Sequence, residues 1–137
     1  MTTFKNNKEK GEISEACVIA AFKRKQWAVL IPFGDNERYD LVIDRGDGFE
    51  RVQVKSGSLY KGSIRFFTRN ASPHASITKK TYEGEVDLFA VYSHELNKVY
   101  IVPIEETGSE TTYLRIDPVE EKHHSKVNKW ASDYELS

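Results

Sequence analysis

The segment from Tyr39 to Lys55 most constrains what this chain can fold into, because it predicts two strands joined by a tight turn. In residues 39–44, Leu41 and Ile43 share one face, and Asp40, Val42 and Asp44 share the other. Residues 49–55 alternate again, with Val52 and Val54 on the apolar face. The sequence Arg-Gly-Asp-Gly at positions 45–48 is typical of a turn with glycines at positive φ. The pattern predicts a β-hairpin with one apolar and one polar face.

The polar face of this hairpin carries side chains that could bind a metal ion. A turn centred between residues 46 and 47 places Asp40 across from Gln53, with Lys55 two residues farther along the same face. A carboxylate and a neutral oxygen can hold a hard cation such as Mg²⁺, and a neighbouring lysine can orient or deprotonate a bound water. The alternative is an ordinary surface hairpin, because aspartate and lysine are common on solvent-facing strands.

Asp40, followed by Gln53-Val54-Lys55 on the next strand, resembles the catalytic core of PD-(D/E)xK nucleases. In that core an aspartate stands at the start of one strand. The next strand carries a triplet that consists of an acidic residue, any residue and a lysine. The chain departs from the pattern twice. Tyr39 replaces the proline, and Gln53 replaces the acidic residue, which removes one negative charge from the predicted metal site. A glutamine at this position occurs in some branches of the family.

The resemblance extends to group I intron-encoded homing endonucleases of this type, and it covers most of the chain from about Lys10 onward. Three further segments carry it: YEGEVDLFAVY at residues 82–92, VYIVP at 99–103 and WASDYEL at 130–136. It implies an α/β fold with a restriction-endonuclease-like core, in which an N-terminal helix packs on a central mixed sheet. It also implies a single nuclease domain over residues 1–137.

The function implied by the resemblance is metal-dependent, site-specific hydrolysis of both strands of a DNA duplex, with Mg²⁺ or Mn²⁺ as the cofactor. The implied catalytic residues are Asp40, Gln53, Lys55 and Glu15, and the metal ligands among them are Asp40, Gln53 and Glu15. Two alternatives stay open: another nuclease of the superfamily, such as a Holliday-junction resolvase or a restriction-like enzyme, and a DNA-binding relative that has lost its catalytic activity.

Glu15 belongs to a helix predicted over residues 11–26. The middle of this helix, residues 16–22, is apolar nearly all round and is expected to be buried. Residues 1–10 are polar and are expected to fray, although Asn6 with Glu9 three residues later could cap a helix. Glu15 shares the apolar face, so it needs a partner or a metal. The alternative is a position near the helix N-terminus, where negative charge is favourable in itself.

Charge is unevenly distributed, although the formal net charge is only −1. Residues 51–82 carry seven Lys or Arg and no acidic residue, whereas residues 83–121 carry two basic and ten acidic residues. A basic block beside an acidic pocket suits a protein that binds a phosphate backbone and holds a metal beside it. A solvated loop without acids is the alternative. The predicted DNA-binding residues are Lys61, Arg65, Arg69, Asn70, Lys79 and Lys80.

Further expectations concern the second half of the chain. Ser56-Gly57-Ser58 is predicted to break the strand, one of Phe66 and Phe67 is predicted to enter the core, and residues 105–121 are predicted to be a loop. Residues 64–68, 87–93 and 98–104 are predicted strands, and the last two are expected to form the buried interior of the sheet. A helix leading into an antiparallel run of strands indicates a mixed α/β domain.

Assembly and location follow from simple arguments. A double-strand break needs two active sites, which predicts a homodimer, and the resembling homing enzymes imply a homotetramer as the upper state. Trp130, Tyr134 and Leu136 are the expected exposed apolar contacts.

The only cysteine, Cys17, predicts a buried thiol and a reducing compartment. No apolar run is long enough for a membrane span, so an intracellular, cytoplasmic protein that joins the nucleoid when bound to DNA is expected.

Overall fold

The fold is that of a computed structural model, which describes residues 3–69, 82, 84–117 and 129–137. One helix precedes seven strands in these ranges. The elements are α1 (Asn7–Arg24), β1 (Ala28–Leu30), β2 (Leu41–Asp44), β3 (Phe49–Tyr60), β4 (Ser63–Phe67), β5 (Leu88–Ser93), β6 (Lys98–Pro103) and β7 (Thr111–Arg115). Short 3₁₀ turns span Ile104–Glu106 and Ala131–Asp133. No helix in the described ranges is both long enough and apolar enough to cross a membrane.

The sheet branches at β3. Strands β1, β2, β3, β4 and β7 form one path, while β5 pairs with β3 and β6 pairs with β5. The β3–β5 pair is parallel, with Val52 opposite Leu88 and Gly57 opposite Ser93, and all the other pairs are antiparallel. The predicted mixed sheet is confirmed: β1 to β4 form the expected antiparallel run, and β5 joins β3 in parallel. A parallel pair requires a long crossover, and here 27 residues separate the two strands.

The predicted hairpin has the expected register. Leu41 pairs with Val52 and Asp44 with Phe49, so the turn falls at residues 45–48. Leu41, Val52 and Val54 are buried and join a core cluster with Val18 and Phe22 of α1. The apolar face of the hairpin is therefore the face that α1 covers, as the alternation predicts.

Strand β3 continues through Ser56-Gly57-Ser58, which corrects the prediction of a breaker there. Gly57 has no strained turn geometry. A Cβ at this position would lie 2.6 Å from Ile64 Cγ2 and 2.9 Å from Val91 Cγ1, so glycine is required by the close approach of β4 and β5. The turn comes later, at Lys61 and Gly62, whose φ values of 48° and 77° suit a tight hairpin. The full length of β3 links the two branches of the sheet.

Helix α1 begins four residues earlier than predicted and ends two residues earlier. Asn6 is its N-cap, and the Asn6 Oδ1 accepts a hydrogen bond from the Glu9 N–H at 2.9 Å. The burial of α1 is also narrower than expected, because only Ser14, Val18 and Phe22 are fully buried. These residues form one stripe at a spacing of four, which is the pattern of a helix lying on a sheet with its other sides facing solvent.

The remaining strands form a second core on the other branch. Phe66 is buried and Phe67 is 54% exposed, as expected for a strand with one core face. The predicted loop over residues 105–121 is wrong for Thr111–Arg115, which form β7 with Thr112 and Leu114 buried beside β4. Residues 118–121 lie outside the described ranges. β5 is wholly buried, but β6 lies at the margin of the sheet.

The C-terminal segment covers part of β6. Leu136 N–H donates to the Val99 carbonyl at 2.8 Å, and the Tyr134 carbonyl accepts from Ile101 N–H at 2.9 Å. Tyr134 and Leu136 are half-buried against the two core clusters, so the prediction that they are exposed contacts is wrong, whereas Trp130 is exposed. Cys17 is half-buried, not buried, and lines a groove of about 630 Å³ between α1 and this segment.

Candidate active site

Asp40 directly precedes β2 and is held against β3 by two hydrogen bonds. Its backbone N–H donates to the Val52 carbonyl at 2.8 Å, and its Oδ2 accepts from the Val54 N–H at 2.8 Å. Burial raises the pKa of the Asp40 carboxyl, although the hydrogen bond from Val54 and the charge of Lys55 act in the opposite direction. The carboxylate is thus fixed in position, with Oδ1 outside the Val54 hydrogen bond.

Glu15 brings a second carboxylate to the same place from α1. Burial raises the pKa of Glu15, and the negative charges of Asp40 and then Glu12 raise it further. The helix therefore places Glu15 close enough to Asp40 for the two charges to repel. The predicted convergence of a helical glutamate on the hairpin aspartate is present in the fold, whereas its chemical role stays a prediction.

Gln53 and Lys55 lie two residues apart in β3 and therefore point to the same side of the strand. Both are half-buried. Burial lowers the pKa of the Lys55 ammonium, the charge of Asp40 raises it, and that of Arg38 lowers it further. Lys55 and Asp40 are thus electrostatic neighbours on one side of the sheet, which is the arrangement that the hairpin register predicts.

Tyr82 completes the surroundings of Lys55, and the sequence analysis missed this role. Lys55 Nζ donates to Tyr82 Oη at 3.3 Å and lies 4.9 Å from the centre of the ring. On the same ring, the Arg38 guanidinium lies 4.2 Å from the centre, and Arg38 also pairs with Glu85 at 3.2 Å. Tyr82 is only 5% exposed, so it holds Lys55 from a fixed position. A tyrosine 27 residues downstream gives no local signal of this contact.

A neutral polar cluster lies next to the charged one. Ser14 Oγ lies 2.6 Å from Ser56 Oγ and 2.8 Å from His94 Nε2, so one buried hydroxyl joins α1, β3 and the β5–β6 turn. Burial lowers the pKa of His94, the charge of Lys10 lowers it further and that of Glu95 raises it. Ser14 precedes Glu15 and Ser56 follows Lys55, so this cluster fixes the backbones that carry both side chains.

The predicted DNA-binding residues differ in their exposure and in their partners. Lys61 lies at the exposed turn between β3 and β4, and Arg65 projects from β4 beside exposed aromatic rings. Arg69 forms an ion pair with Glu110, so the basic block that is free of acids in sequence acquires an acidic partner in space. Asn70, Lys79 and Lys80 lie outside the described residues.

The donor set suits a hard divalent cation. Two carboxylates that repel each other and an amide oxygen on the adjoining strand are ligands of the type that Mg²⁺ and Mn²⁺ prefer. Within the part of the chain that the structure describes, no three His, Cys, Asp or Glu side chains come together as a metal site. The candidate site has only two carboxylates, since Gln53 stands where the family pattern has a third acid.

Comparisons with known proteins agree with the fold and identify the family. The chain matches the PD-(D/E)XK endonuclease family over residues 5–137. Its structure is similar to that of a bacterial homing endonuclease, I-Ssp6803I, with a TM-score of 0.69 and 23% sequence identity, over 97% of this chain and 88% of that one. A comparison with curated proteins gives no match. Since the family match extends over nearly the whole sequence and includes the hairpin, the chain belongs to the PD-(D/E)XK endonuclease family.

Proposed function

We propose that the protein is a site-specific, double-strand DNA endonuclease of the homing type, and that Asp40, Glu15, Gln53 and Lys55 form its active site. The observation that carries the proposal is the convergence of two half-buried carboxylates beside a half-buried lysine. Each charge is costly where it lies, because burial disfavours the ionised form of all three groups. Such arrangements are typical of catalytic sites.

A divalent metal, Mg²⁺ or Mn²⁺, is the cofactor that this site would hold through Asp40, Glu15 and Gln53. When bound, it would acidify a water and offset the charge of the scissile phosphate. The Val54 N–H holds Asp40 Oδ2, so the carboxylate keeps one orientation before metal arrives. A bound metal's positive charge would also offset the repulsion that Asp40 imposes on Glu15.

Lys55 is the residue proposed to handle the proton. Burial and the Arg38 charge lower its pKa, which makes the neutral amine more accessible near neutral pH than it is for a lysine in water. Tyr82 Oη accepts a hydrogen bond from Lys55 Nζ, and this bond fixes the orientation of the Lys55 side chain. Lys55 can then orient or deprotonate the attacking water and, as an ammonium, stabilise negative charge on the phosphate.

The partner is double-stranded DNA, bound by basic residues that follow Lys55 in the chain, such as Lys61 and Arg65. A homodimer or homotetramer would supply the second site that a double-strand break needs. Trp130 remains a candidate apolar contact, because it is exposed. The protein would act inside the cell, where genomic DNA is found, as one nuclease domain over residues 1–137.

Cleavage and binding measured on the same preparations test the proposal. We expect Asp40→Ala and Lys55→Ala to abolish Mg²⁺-dependent cleavage of plasmid DNA while gel-shift affinity stays within about threefold, because affinity comes mainly from phosphate contacts. Parallel loss of binding would show that these residues are structural. Removal of metal with EDTA should abolish wild-type cleavage, and Mg²⁺ should restore it.

One observation favours a second candidate, a DNA-binding relative without activity. Gln53 contributes no charge, so the site has one negative charge fewer than the family pattern. A wild-type protein that binds duplex DNA but cuts neither linear, supercoiled nor four-way-junction DNA with Mg²⁺ or Mn²⁺ would establish this candidate. Preferential cutting of the junction would instead indicate a resolvase.

A further inference from the structure

Arg38 lies beside Lys55 and contacts the same aromatic ring. The central guanidinium carbon of Arg38 lies 4.2 Å from the centre of the Tyr82 ring, and Lys55 Nζ lies 4.9 Å from that centre. Phe89 packs against this buried ring at 5.4 Å between ring centres, with the two planes nearly perpendicular. Tyr82 is therefore fixed by the core, and it holds two cations at the candidate active site.

The charged groups of the site form two like-charged pairs. Glu15 and Asp40 are the pair of carboxylates described above. Arg38 and Lys55 are the pair of cations: burial lowers the pKa of Lys55, and the charge of Arg38 lowers it further, against that of Asp40. Two neighbouring carboxylates favour the binding of a cation, and by the same reasoning two neighbouring cations favour the binding of an anion. In a nuclease that anion is the phosphate that is cut.

An ion pair with Glu85 is the structural alternative for Arg38. Arg38 Nε lies 3.2 Å from Glu85 Oε2, and the two side chains are 24% and 40% exposed. Partly exposed pairs of this kind contribute little to stability. Nε carries only one of the five N–H donors of a guanidinium, so a pair through Nε is compatible with a second ligand on the terminal nitrogens. The two roles therefore differ in what loss of Glu85 would do.

Arg45 provides a matched arginine with the same two kinds of partner. Its guanidinium carbon lies 5.0 Å from the centre of the Trp27 ring, and it donates two hydrogen bonds to Glu50, at 2.7 and 2.9 Å. It lies in the turn beyond the pair of Asp44 with Phe49, at the end of the hairpin opposite to the candidate active site. Arg45 is thus the control for an arginine that only stabilises the fold.

We propose that Arg38 is a catalytic residue that binds a non-bridging oxygen of the scissile phosphate, beside Lys55. This inference rests on the proposed function and adds a fifth residue to the active site. A guanidinium stays charged at every pH at which proteins are folded, and its planar donors match phosphate oxygens. Arg38 therefore stabilises the negative charge that builds up on the phosphate, while Lys55 is left to exchange a proton with the attacking water.

The first test measures DNA binding without cleavage. The salt dependence of duplex affinity, measured with Ca²⁺ in place of Mg²⁺, counts the phosphates that the protein contacts. We expect the slope of log K against log salt to fall by about 0.9 in Arg38→Ala, which is the loss of one contact. Glu85→Gln removes the acidic partner and keeps Arg38, so the slope should stay unchanged. Arg45→Ala removes an equal charge elsewhere and should also leave the slope unchanged.

The second test measures cleavage under single-turnover conditions with saturating protein. We expect Arg38→Ala to cut about a hundred- to a thousandfold more slowly, as after the loss of one donor to a transition-state anion. Arg38→Lys keeps the charge without the planar fork and should lie between this variant and the wild type. Glu85→Gln and Arg45→Ala should cut at close to the wild-type rate.

A neutral phosphate at the mapped cut identifies the group that Arg38 contacts. Replacing this phosphate by a methylphosphonate removes its charge and keeps the other phosphates of the duplex. The wild type should bind the altered duplex more weakly than the normal one in Ca²⁺. Arg38→Ala should show a smaller loss between the two duplexes, because it has already lost the contact.

Three results would overturn the inference. Equal effects of Arg38→Ala and Glu85→Gln on slope and rate would make Arg38 a structural residue. Cleavage by Arg38→Ala at the wild-type rate would exclude a catalytic role, and equal losses on the methylphosphonate duplex would place the contact at another phosphate. A wild type that binds duplex DNA without cutting it, with the slope lowered only in Arg38→Ala, would refute the proposed function and keep Arg38 as a phosphate-binding residue. A wild type that binds no duplex DNA would refute both.

Discussion

Helix α1 meets strand β3 through two polar clusters that differ by one residue along each element. Ser14 is hydrogen-bonded to Ser56 and His94, whereas Glu15 feels the charge of Asp40, which in turn feels the charge of Lys55. In the first cluster each hydroxyl has a partner at 2.6–2.8 Å. In the second, burial raises the pKa values of both carboxyls, and Asp40 raises that of Glu15 further. The neutral cluster stabilises the fold, whereas in the charged cluster burial disfavours the ionised forms of Glu15 and Asp40.

The largest expected effect is on catalysis, through Glu15→Gln. This change keeps the shape of the side chain and removes one of the two repelling charges. We expect cleavage to fall at least about a hundredfold, because a metal ligand contributes several kcal/mol to the transition state. The free energy of unfolding without metal should stay equal or rise. Single-turnover cleavage and urea unfolding on one preparation measure both, and a stability loss together with normal cleavage would reverse the comparison.

Ser14→Ala should show the opposite behaviour. It leaves Ser56 Oγ and His94 Nε2 without their shared partner in a buried position, which costs about 1–3 kcal/mol. The better helix propensity of alanine returns about 0.5 kcal/mol. We expect a net loss of about 1–2 kcal/mol in urea unfolding. The exposed Lys8→Ala in the same helix is the control and should change stability little. An unchanged unfolding midpoint for Ser14→Ala would contradict the account.

Tyr82→Phe removes one hydroxyl and keeps the ring against Lys55 and Arg38. The loss of an orienting partner of this kind typically costs about tenfold in rate. We expect the single-turnover rate to fall by about that factor, with gel-shift affinity for DNA unchanged. An equal loss of affinity would make Tyr82 a structural or DNA-contact residue rather than a positioning residue for Lys55.

The smallest effect concerns pH and His94. Its pKa is lower in the folded protein than in the unfolded chain, since burial and Lys10 disfavour its charged form. The unfolded chain therefore binds a proton more readily. The stability from this residue is present above the unfolded pKa, near 6.5, and is lost as pH falls through the lower folded value. His94→Gln should flatten the pH dependence of unfolding in that range, and an identical slope would contradict this.

Local patterns predicted the placement of Asp40, Gln53 and Lys55 because these residues belong to one hairpin, whereas the place of Glu15 was implied by the family resemblance. Alternation and turn residues fix the register that brings Asp40 beside β3, and i, i+2 spacing places Gln53 and Lys55 on one side. The fold class followed from the same hairpin with its preceding helix. The family match to residues 5–137 confirms the predicted nuclease family.

The contacts that the sequence did not reveal join residues far apart in the chain. Ser14 and His94 are 80 positions apart, and Lys55 and Tyr82 are 27 apart. Gly57 suggested a break because a glycine alone does not show whether it serves a turn or a close approach of strands. The alternation of β7 was hidden among loop-like residues, since only its pairing with β4 makes Thr112 and Leu114 a core face.

The central claim is that the charged cluster is built for a divalent cation, and the most direct measurement is the thermal unfolding of Asp40→Asn with and without Mg²⁺. Asparagine can still accept the Val54 hydrogen bond while it removes the charge. The account predicts that wild-type protein gains stability with Mg²⁺, as a ligand that binds only the folded state requires. It also predicts that Asp40→Asn unfolds at an equal or higher temperature without metal and loses the response to Mg²⁺, while Ser14→Ala keeps that response. An Asp40→Asn protein that unfolds at a lower temperature and still responds fully to Mg²⁺ would contradict the claim.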